Sequence, residues 1–305
     1  MLHRTTTPVL ALLALPCLLA ACKGDGADAG QAAHAAGPEK SGQPLPELPD
    51  IETPGARAIY RQHCQRGDHR ACHAFAGLAY GGLDGPIDLL AARQAYTTAC
   101  KGGEAAACST LGFMIDIGQG GATDPAEAHR LYMRGCEGGH GWGCSYAARM
   151  YRIGRGVTKD ASKALELFDR CCELRLDACC EEAAWMYKRG QGVDQDEQKA
   201  AQYFAKLRAI HEGPCNNNDG AGCHQLGALA LMGNGEPRDE AKARALFDKA
   251  CKAEFAWSCS MLAQMLETGQ GGPRDAVRAQ ALKHRACELG DEAACKALSG
   301  PEPTP

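Results

Sequence analysis

The chain has 305 residues, of which 45% are hydrophobic, so it is long enough to bury a core and to form more than one ordinary domain. Its 33 Lys and Arg residues against 37 Asp and Glu residues give a formal net charge of −4, which argues against a protein that binds nucleic acid by neutralising phosphates. Aromatic residues make up only 6%, few for a base-stacking surface, whereas there are 18 cysteines. So many cysteines exclude an ordinary cytosolic enzyme, unless it binds several metal ions.

Residues 1–21 form a predicted secretory signal peptide. A short positive start ending at Arg4 precedes an apolar run, Val9 to Ala21, that is too short to span a membrane. The run ends in Leu19-Ala20-Ala21-Cys22, which resembles a bacterial lipobox, with cleavage before Cys22 and acylation of its thiol. The alternative is a plain signal peptide with a chance cysteine. The residue directly after the lipidated cysteine is Lys23 and not an aspartate. By analogy with lipoprotein sorting this favours the outer membrane, so we expect a lipid-anchored envelope protein that faces the periplasm.

Residues 22–53 are rich in Ala, Gly and Pro and hold almost no large apolar side chain before Leu45. Such a segment buries too little surface to offset its ordering entropy, so it predicts a disordered tether. A coil of about 30 residues spans roughly 30 Å, which would hold the folded part off the bilayer. Residues 300–305 form a short tail.

A period of 36 residues organises residues 54–299. Cysteine pairs with seven residues between them recur, and their first member advances by 36 except for one step of 43 into Cys215. Self-similarity at a fixed length of this size predicts a solenoid of stacked units. The pairs are Cys64/Cys72, Cys100/Cys108, Cys136/Cys144, Cys172/Cys180, Cys215/Cys223, Cys251/Cys259 and Cys287/Cys295.

Three further positions recur in the same register. A glycine that suits a left-handed helix end follows the second cysteine by ten residues, as Gly154 does. An aspartate that suits a helix N-cap follows it by sixteen, as Asp160 does, and four residues later stands an alanine small enough to let helices approach, as Ala164 does. The intervening segments carry apolar residues at helical spacing. Each unit is therefore a predicted helical hairpin, with about six full hairpins between half-repeats at 54–64 and 290–299.

The segment Ala148-x-x-Tyr151-x-x-Gly154-x-Gly156-Val157-x-x-Asp160-x-x-Lys163-Ala164 resembles the Sel-1-like repeat, a relative of the tetratricopeptide repeat. The 36-residue length with two cysteines per unit is similar to the Helicobacter cysteine-rich type. The resemblance covers residues 54–299. It implies an all-α fold, a right-handed α-solenoid of disulfide-stapled hairpins whose concave face is lined by the first helix of each unit.

The cysteines predict disulfides within the repeat. The first cysteine of a pair ends one helix and the second begins the next, across a tight turn, so antiparallel neighbours place the two side by side. The seven pairs above are predicted bridges, and Cys171–Cys179 beside Cys172–Cys180 is one pairing of the doubled cysteines, a swapped pairing being the other. Zinc binding is the rival interpretation, and its only credible cluster combines Cys64 and Cys72 with His63, His69 and His73.

The fourth repeat departs from the pattern. Arg208 takes the expected cysteine position, and seven extra residues lead to Cys215 and the polar run Asn216-Asn217-Asn218-Asp219-Gly220. Seven residues make about two helical turns, so the helix can lengthen in phase. The insertion at 209–219 is interpreted either as a polar loop that forms a contact site or as a tolerated surface insertion.

A binding surface is better supported than a catalytic site. The sequence has no recognisable hydrolase, metalloprotease or phosphate-loop motif, and we find no serine or cysteine nucleophile paired with a histidine. Residues five and eight positions after the second cysteine vary freely and should lie on the first helices, where aromatic and cationic side chains suit a peptide or an acidic group. A plain solvated helix face is the alternative interpretation. The predicted ligand-binding residues of the concave groove are Tyr146, Arg149, Arg152, Trp185, Lys188 and Arg189.

We therefore predict a monomeric scaffold that binds a protein, a peptide or a cell-wall component such as a peptidoglycan fragment, with no cofactor and no bound metal. The second hypothesis is enzymatic. The resemblance to the Helicobacter cysteine-rich type implies penicillin binding or weak β-lactamase activity, although no residue here matches a catalytic motif.

Overall fold

The computed structural model describes residues 45–299, which contain fourteen helices and no β-strand. The predicted signal peptide 1–21, the lipidation site Cys22, the tether as far as residue 44 and the tail 300–305 lie outside the described residues. The helices are α1 Ala56–Gln65, α2 His69–Gly81, α3 Leu89–Lys101, α4 Ala105–Ile117, α5 Pro125–Glu137, α6 Gly141–Ile153, α7 Ala161–Glu173, α8 Asp177–Arg189, α9 Glu197–Asn216, α10 Gly220–Met232, α11 Glu240–Lys252, α12 Ala256–Thr268, α13 Ala276–Glu288 and α14 Glu292–Ser299.

The chain divides into two compact units. The first contains the described residues up to Ala107 together with Gln119–Gly121, and the second contains Cys108–Gly118 and the residues from Ala122 onward. In the first unit, α2 packs against both α1 and α3. Two backbone carbonyls of the segment before α1 are bound by that helix: Tyr60 Oη donates to Pro49 at 2.7 Å, and His63 Nε2 lies 2.8 Å from the Pro46 oxygen.

The second unit alternates two kinds of helix. We call α4, α6, α8, α10, α12 and α14, which open their hairpins, the A helices, and α5, α7, α9, α11 and α13 the B helices. Each A helix from α6 to α12 packs against the B helix that follows it. Among residues 45–299, no helix is both long and apolar enough to cross a membrane.

The recurring aspartates and glycines set the helix ends, as the sequence predicts. Asp160 caps α7, where its Oδ1 accepts a hydrogen bond from the Lys163 amide at 3.0 Å, so an otherwise unpaired amide of the first turn is satisfied. Gly154 ends α6 in the left-handed conformation, with φ 77°. The same N-cap bond is present at Asp88, Asp124, Asp196, Asp239 and Asp275.

Small and aromatic residues share the core. The recurring alanines of the B helices, such as Ala128 and Ala164, are fully buried, so the helix axes approach closely. One large ring per hairpin fills the space beside them, and these rings are almost completely buried at Tyr132, Phe168, Phe204 and Phe247. The core is therefore a series of similar layers, one per repeat.

The predicted disulfides staple consecutive hairpins. The structure joins Cys64–Cys72, Cys136–Cys144, Cys171–Cys179, Cys172–Cys180, Cys215–Cys223, Cys251–Cys259 and Cys287–Cys295. Cys100 and Cys108 are disulfide-bonded as well. The doubled cysteines thus pair side by side and not in the swapped arrangement.

The insertion lengthens a helix. α9 has 20 residues where the neighbouring B helices have 13, in agreement with two added turns. The expectation of a long polar loop is wrong: the run after α9 is a short turn in which Asn218 takes a left-handed φ of 61°. The added turns also pack, because His211 Nε2 lies 3.6 Å from an Asp177 carboxylate oxygen on α8.

Candidate functional site

Three of the six predicted ligand-binding residues form one cluster at the C-terminal half of α8. The Arg189 guanidinium carbon lies 4.3 Å from the Trp185 ring centroid and the Lys188 Nζ lies 5.1 Å from it, distances typical of cation–π contacts. Phe204 of α9 meets Trp185 edge to face at 5.7 Å between ring centroids. The indole nitrogen donates to Glu181 Oε1 at 3.3 Å. The indole is therefore held on several sides and is half-buried.

The other three predicted residues lie on α6. Tyr146 stacks on the buried Tyr132 ring, with centroids 4.9 Å apart, and also contacts Phe113 of α4 at 5.8 Å. Arg149 is exposed, whereas Arg152 is half-buried and lies 3.6 Å from a Glu182 oxygen on α8. The Arg152–Glu182 ion pair therefore connects α6 directly to the helix that carries Trp185.

Tyr132 adds a buried polar atom beneath this group. Its ring is fully buried, and among the described residues its hydroxyl has no hydrogen-bond partner. Burial, reinforced by the nearby Asp116 carboxylate, raises the pKa of the Tyr132 hydroxyl. This hydroxyl therefore stays protonated and acts only as a hydrogen-bonding group.

Sequence reasoning missed the side chain that fixes Lys188. Asn234, which is 2% exposed, accepts a hydrogen bond from Lys188 Nζ at its Oδ1, at 2.8 Å. The Asn234 backbone oxygen accepts a second bond from Arg208 Nη1 at 3.1 Å. Arg208 also lies 3.2 Å from Glu236. Arg208, which occupies the expected cysteine position, thus binds the same loop as Lys188. The missing cysteine at Arg208 was the only sequence signal of this network.

Two cavities lie beside α9, and the smaller one borders the cluster. Neither is evident from the sequence. A cavity of about 300 Å³ has Lys188 on its wall together with Phe204, Gly235 and Glu236. A larger one of about 920 Å³ lies between α7, α9 and the turn after α8, where Tyr187 and Tyr203 stack at 5.9 Å. The smaller cavity is large enough for one amino-acid side chain beside Lys188.

The structure contains a serine–histidine contact that sequence inspection did not find. His224 Nδ1 lies 2.8 Å from Ser258 Oγ, on neighbouring A helices. Burial lowers the pKa of His224, so the imidazole is neutral at pH 7 and free to accept a proton. However, Ser258 is fully buried, so no substrate reaches its hydroxyl. The pair therefore packs the two helices together, and it gives no support to the hydrolase that the resemblance implied.

The zinc interpretation of the first repeat is wrong, because Cys64 and Cys72 are bonded to each other and offer no thiolate to a metal. His63 is directed at the Pro46 carbonyl. Within the described part of the chain, no group of three His, Cys, Asp or Glu side chains is placed to hold a metal ion.

Solved structures with the same fold include Sel1-repeat proteins. The c5321 protective antigen of uropathogenic Escherichia coli, described as displaying an SLR fold, is 24% identical with a TM-score of 0.60, and the match covers 82% of this chain and 52% of that one. The present chain thus spans about half the length of that antigen. A Sel1 repeat protein from Oxalobacter formigenes is 21% identical with a TM-score of 0.57, over 75% of this chain and 92% of that one.

A cysteine-rich relative is also similar in sequence. Helicobacter pylori cysteine rich protein B is 28% identical over 45% of this chain and 93% of its own, with a TM-score of 0.30. Comparison with curated protein sequences gives no match.

The family model of the Sel1 repeat matches residues 105–140, 143–175, 177–207, 220–255 and 258–291. Together these segments make up more than half of the chain, and each begins at or near the start of an A helix. Repeats of this kind build solenoids that present an extended surface to other proteins. The chain belongs to the Sel1 repeat family and has the architecture of a disulfide-stapled protein-interaction scaffold.

Proposed function

We propose that this protein is an envelope scaffold that binds a polypeptide segment across its A helices, with Trp185 as the central contact. The observation that carries the proposal is the α8 cluster, in which Lys188 and Arg189 flank an immobilised indole. A few residues dominate the binding energy of a protein interface, and tryptophan and arginine are enriched among them. Because neighbouring side chains already fix Trp185, little conformational entropy is lost on binding.

The neighbouring contacts favour a polypeptide over a small ligand. Tyr146 and Arg149 on α6 continue the surface, and the Arg152–Glu182 ion pair connects the two helices. Cationic and aromatic groups therefore recur on consecutive repeats, which suits a ligand that crosses several helices. The cavity of about 300 Å³ beside Lys188 offers room for one of its side chains.

Selection from a displayed library of random peptides against the immobilised, oxidised protein tests this function. Recovered peptides should bind Trp185→Ala at least about tenfold more weakly than the wild-type protein, as expected for a hot-spot residue. Arg130→Ala is the matched control, because Arg130 is an exposed arginine on the B helix α5. Peptides that bind both variants equally, or the absence of any enriched peptide, would refute the proposal. Nitrocefin turnover by the same preparation would contradict a purely binding role.

We also propose that the protein is anchored by lipid at Cys22 in the bacterial envelope. The lipobox-like Leu19-Ala20-Ala21-Cys22 supports the anchor, and the disulfides support an oxidising compartment outside the cytosol. In cells fed an alkyne-tagged fatty acid, the wild-type protein should carry the tag and the Cys22→Ala variant should not. A tag that persists in Cys22→Ala would refute the assignment.

A further inference from the structure

A row of exposed apolar side chains crosses the A helices of the second unit. Ile117 is 48% exposed, Ile153 63% and Met232 54%. All three stand nine positions after the second cysteine of their repeats, and α8 carries Arg189 at that position. We call Ile117, Ile153 and Met232 the apolar row. Large exposed side chains that recur at one position of a repeat indicate an interaction surface and not isolated surface residues.

The apolar row shares a helix face with the residues of the candidate site. Ile153 follows Arg149 by four residues, and Arg189 follows Trp185 by four, so each pair lies on one side of its helix. The 4.3 Å contact between Arg189 and the Trp185 ring shows this directly. The row and the cluster are therefore parts of one surface.

Two arginines on this surface have an unmatched charge. Arg149 and Arg189 are exposed, and no described carboxylate lies within 4.0 Å of either. By contrast, Arg152 pairs with Glu182, and Arg155 Nε donates to Asp116 at 2.7 Å. Since Arg189 is already positioned by the Trp185 ring, it is the cation best prepared to bind a carboxylate.

The spacing of the helices sets the spacing of a ligand. Packed helices lie about 8–10 Å apart, and a chain in the extended polyproline II conformation rises about 3.1 Å per residue with three residues per turn. Side chains three residues apart therefore face the same way and reach from one A helix to the next. We infer that the surface binds an extended peptide with apolar side chains opposite the apolar row and an acidic side chain opposite Arg189. In one chain direction its pattern is apolar-x-x-apolar-x-x-acidic-x-x-apolar, and in the other the reverse. This inference rests on the proposed function and specifies its partner.

Fluorescein-labelled synthetic peptides test the inference by anisotropy with the oxidised protein. They carry leucine at the apolar positions, glutamate at the acidic one and serine or threonine elsewhere, in both orders. The better order should bind about tenfold more tightly than the same peptide with lysine for glutamate. Ile153→Ser should weaken binding about tenfold, because the variant loses the apolar contact that the bound peptide would bury. Val277→Ser, at a residue 85% exposed on the B helix α13, should leave the affinity unchanged.

A charge exchange gives the decisive result. The variant Arg189→Glu should prefer the lysine peptide over the glutamate peptide, and no loss of folding produces such a reversal. Equal affinity for both peptides in wild type and variant would overturn the inference. If Trp185→Ala still weakens the binding of library-selected peptides, the proposed function stands although the peptide pattern is wrong. If Trp185→Ala does not weaken it, the proposed function and the peptide pattern are both wrong. Sedimentation with phosphatidylglycerol vesicles that requires Ile153, without peptide binding, would assign the row to a membrane and also overturn the inference.

Discussion

Replacing Asn234 by alanine tests the network that holds the candidate site. The substitution removes the Oδ1 acceptor, which lies 2.8 Å from Lys188 Nζ. Asn234 is only 2% exposed, so water does not readily replace this acceptor. A hydrogen bond to a charged group contributes about 1.5–3 kcal/mol to stability. Lys188 is only half-buried and recovers some hydration by turning outward, so we expect a loss near the lower end, about 2 kcal/mol. The bond from Arg208 to the Asn234 backbone oxygen remains, because the substitution does not touch it.

Urea unfolding at neutral pH measures this loss. Asn217→Ala is the control: Asn217 is the exposed C-cap of α9, and its substitution should change the free energy of unfolding by no more than about 0.5 kcal/mol. Asn234→Asp keeps an acceptor for Lys188 and should retain most of the stability. If Asn234→Ala is as stable as Asn217→Ala, the network does not hold Lys188 and our account of the site is wrong.

Three further predictions concern the scaffold. Removing one staple with Cys136→Ala and Cys144→Ala should lower the free energy of unfolding by about 2.6 kcal/mol in the chain-entropy model, measured by urea unfolding; an unchanged midpoint would show that the bridge is dispensable. Gly156→Ala should lower the free energy of unfolding by at least about 1 kcal/mol, because φ is 69° and a Cβ would lie 2.5 Å from the Pro125 carbonyl. Gly213→Ala, inside α9 and with open space around it, should instead leave stability unchanged or raise it by up to about 1 kcal/mol. Burial, and secondarily the Arg130 charge, lowers the pKa of His129 in the folded protein. The unfolded chain therefore binds the His129 proton more tightly than the folded one. The stability that the neutral imidazole contributes is fully present above about pH 6.5 and is lost as the pH falls below that value. Guanidinium unfolding at pH 7.5 and 5.5 checks this, and a smaller pH effect in His129→Gln should confirm the assignment.

The residues of the predicted groove show where local reasoning stops. Sequence spacing places Trp185 and Arg189 on one helix face, because that relation depends only on helical geometry. It does not show that Phe204 meets the indole edge to face, since Phe204 belongs to another helix. The Asn234–Lys188 bond joins residues 46 apart, and no periodic pattern reports such a contact. The His224–Ser258 pair was missed for the same reason.

The sequence by itself determined the repeat, the helix ends and the cysteine partners. Each of these depends on interactions between residues close in the chain: Asp160 caps its own helix, Gly154 ends its own helix, and Cys136 bonds a cysteine eight residues away. Only the tertiary structure decided which cations are paired, which serine is buried and which apolar side chains stay exposed. Those properties depend on how successive hairpins stack, and identical positions in different repeats meet different neighbours. Arg152 pairs with Glu182 while Arg149, three residues earlier, stays exposed, and this difference between the two arginines arises only when α6 lies beside α8.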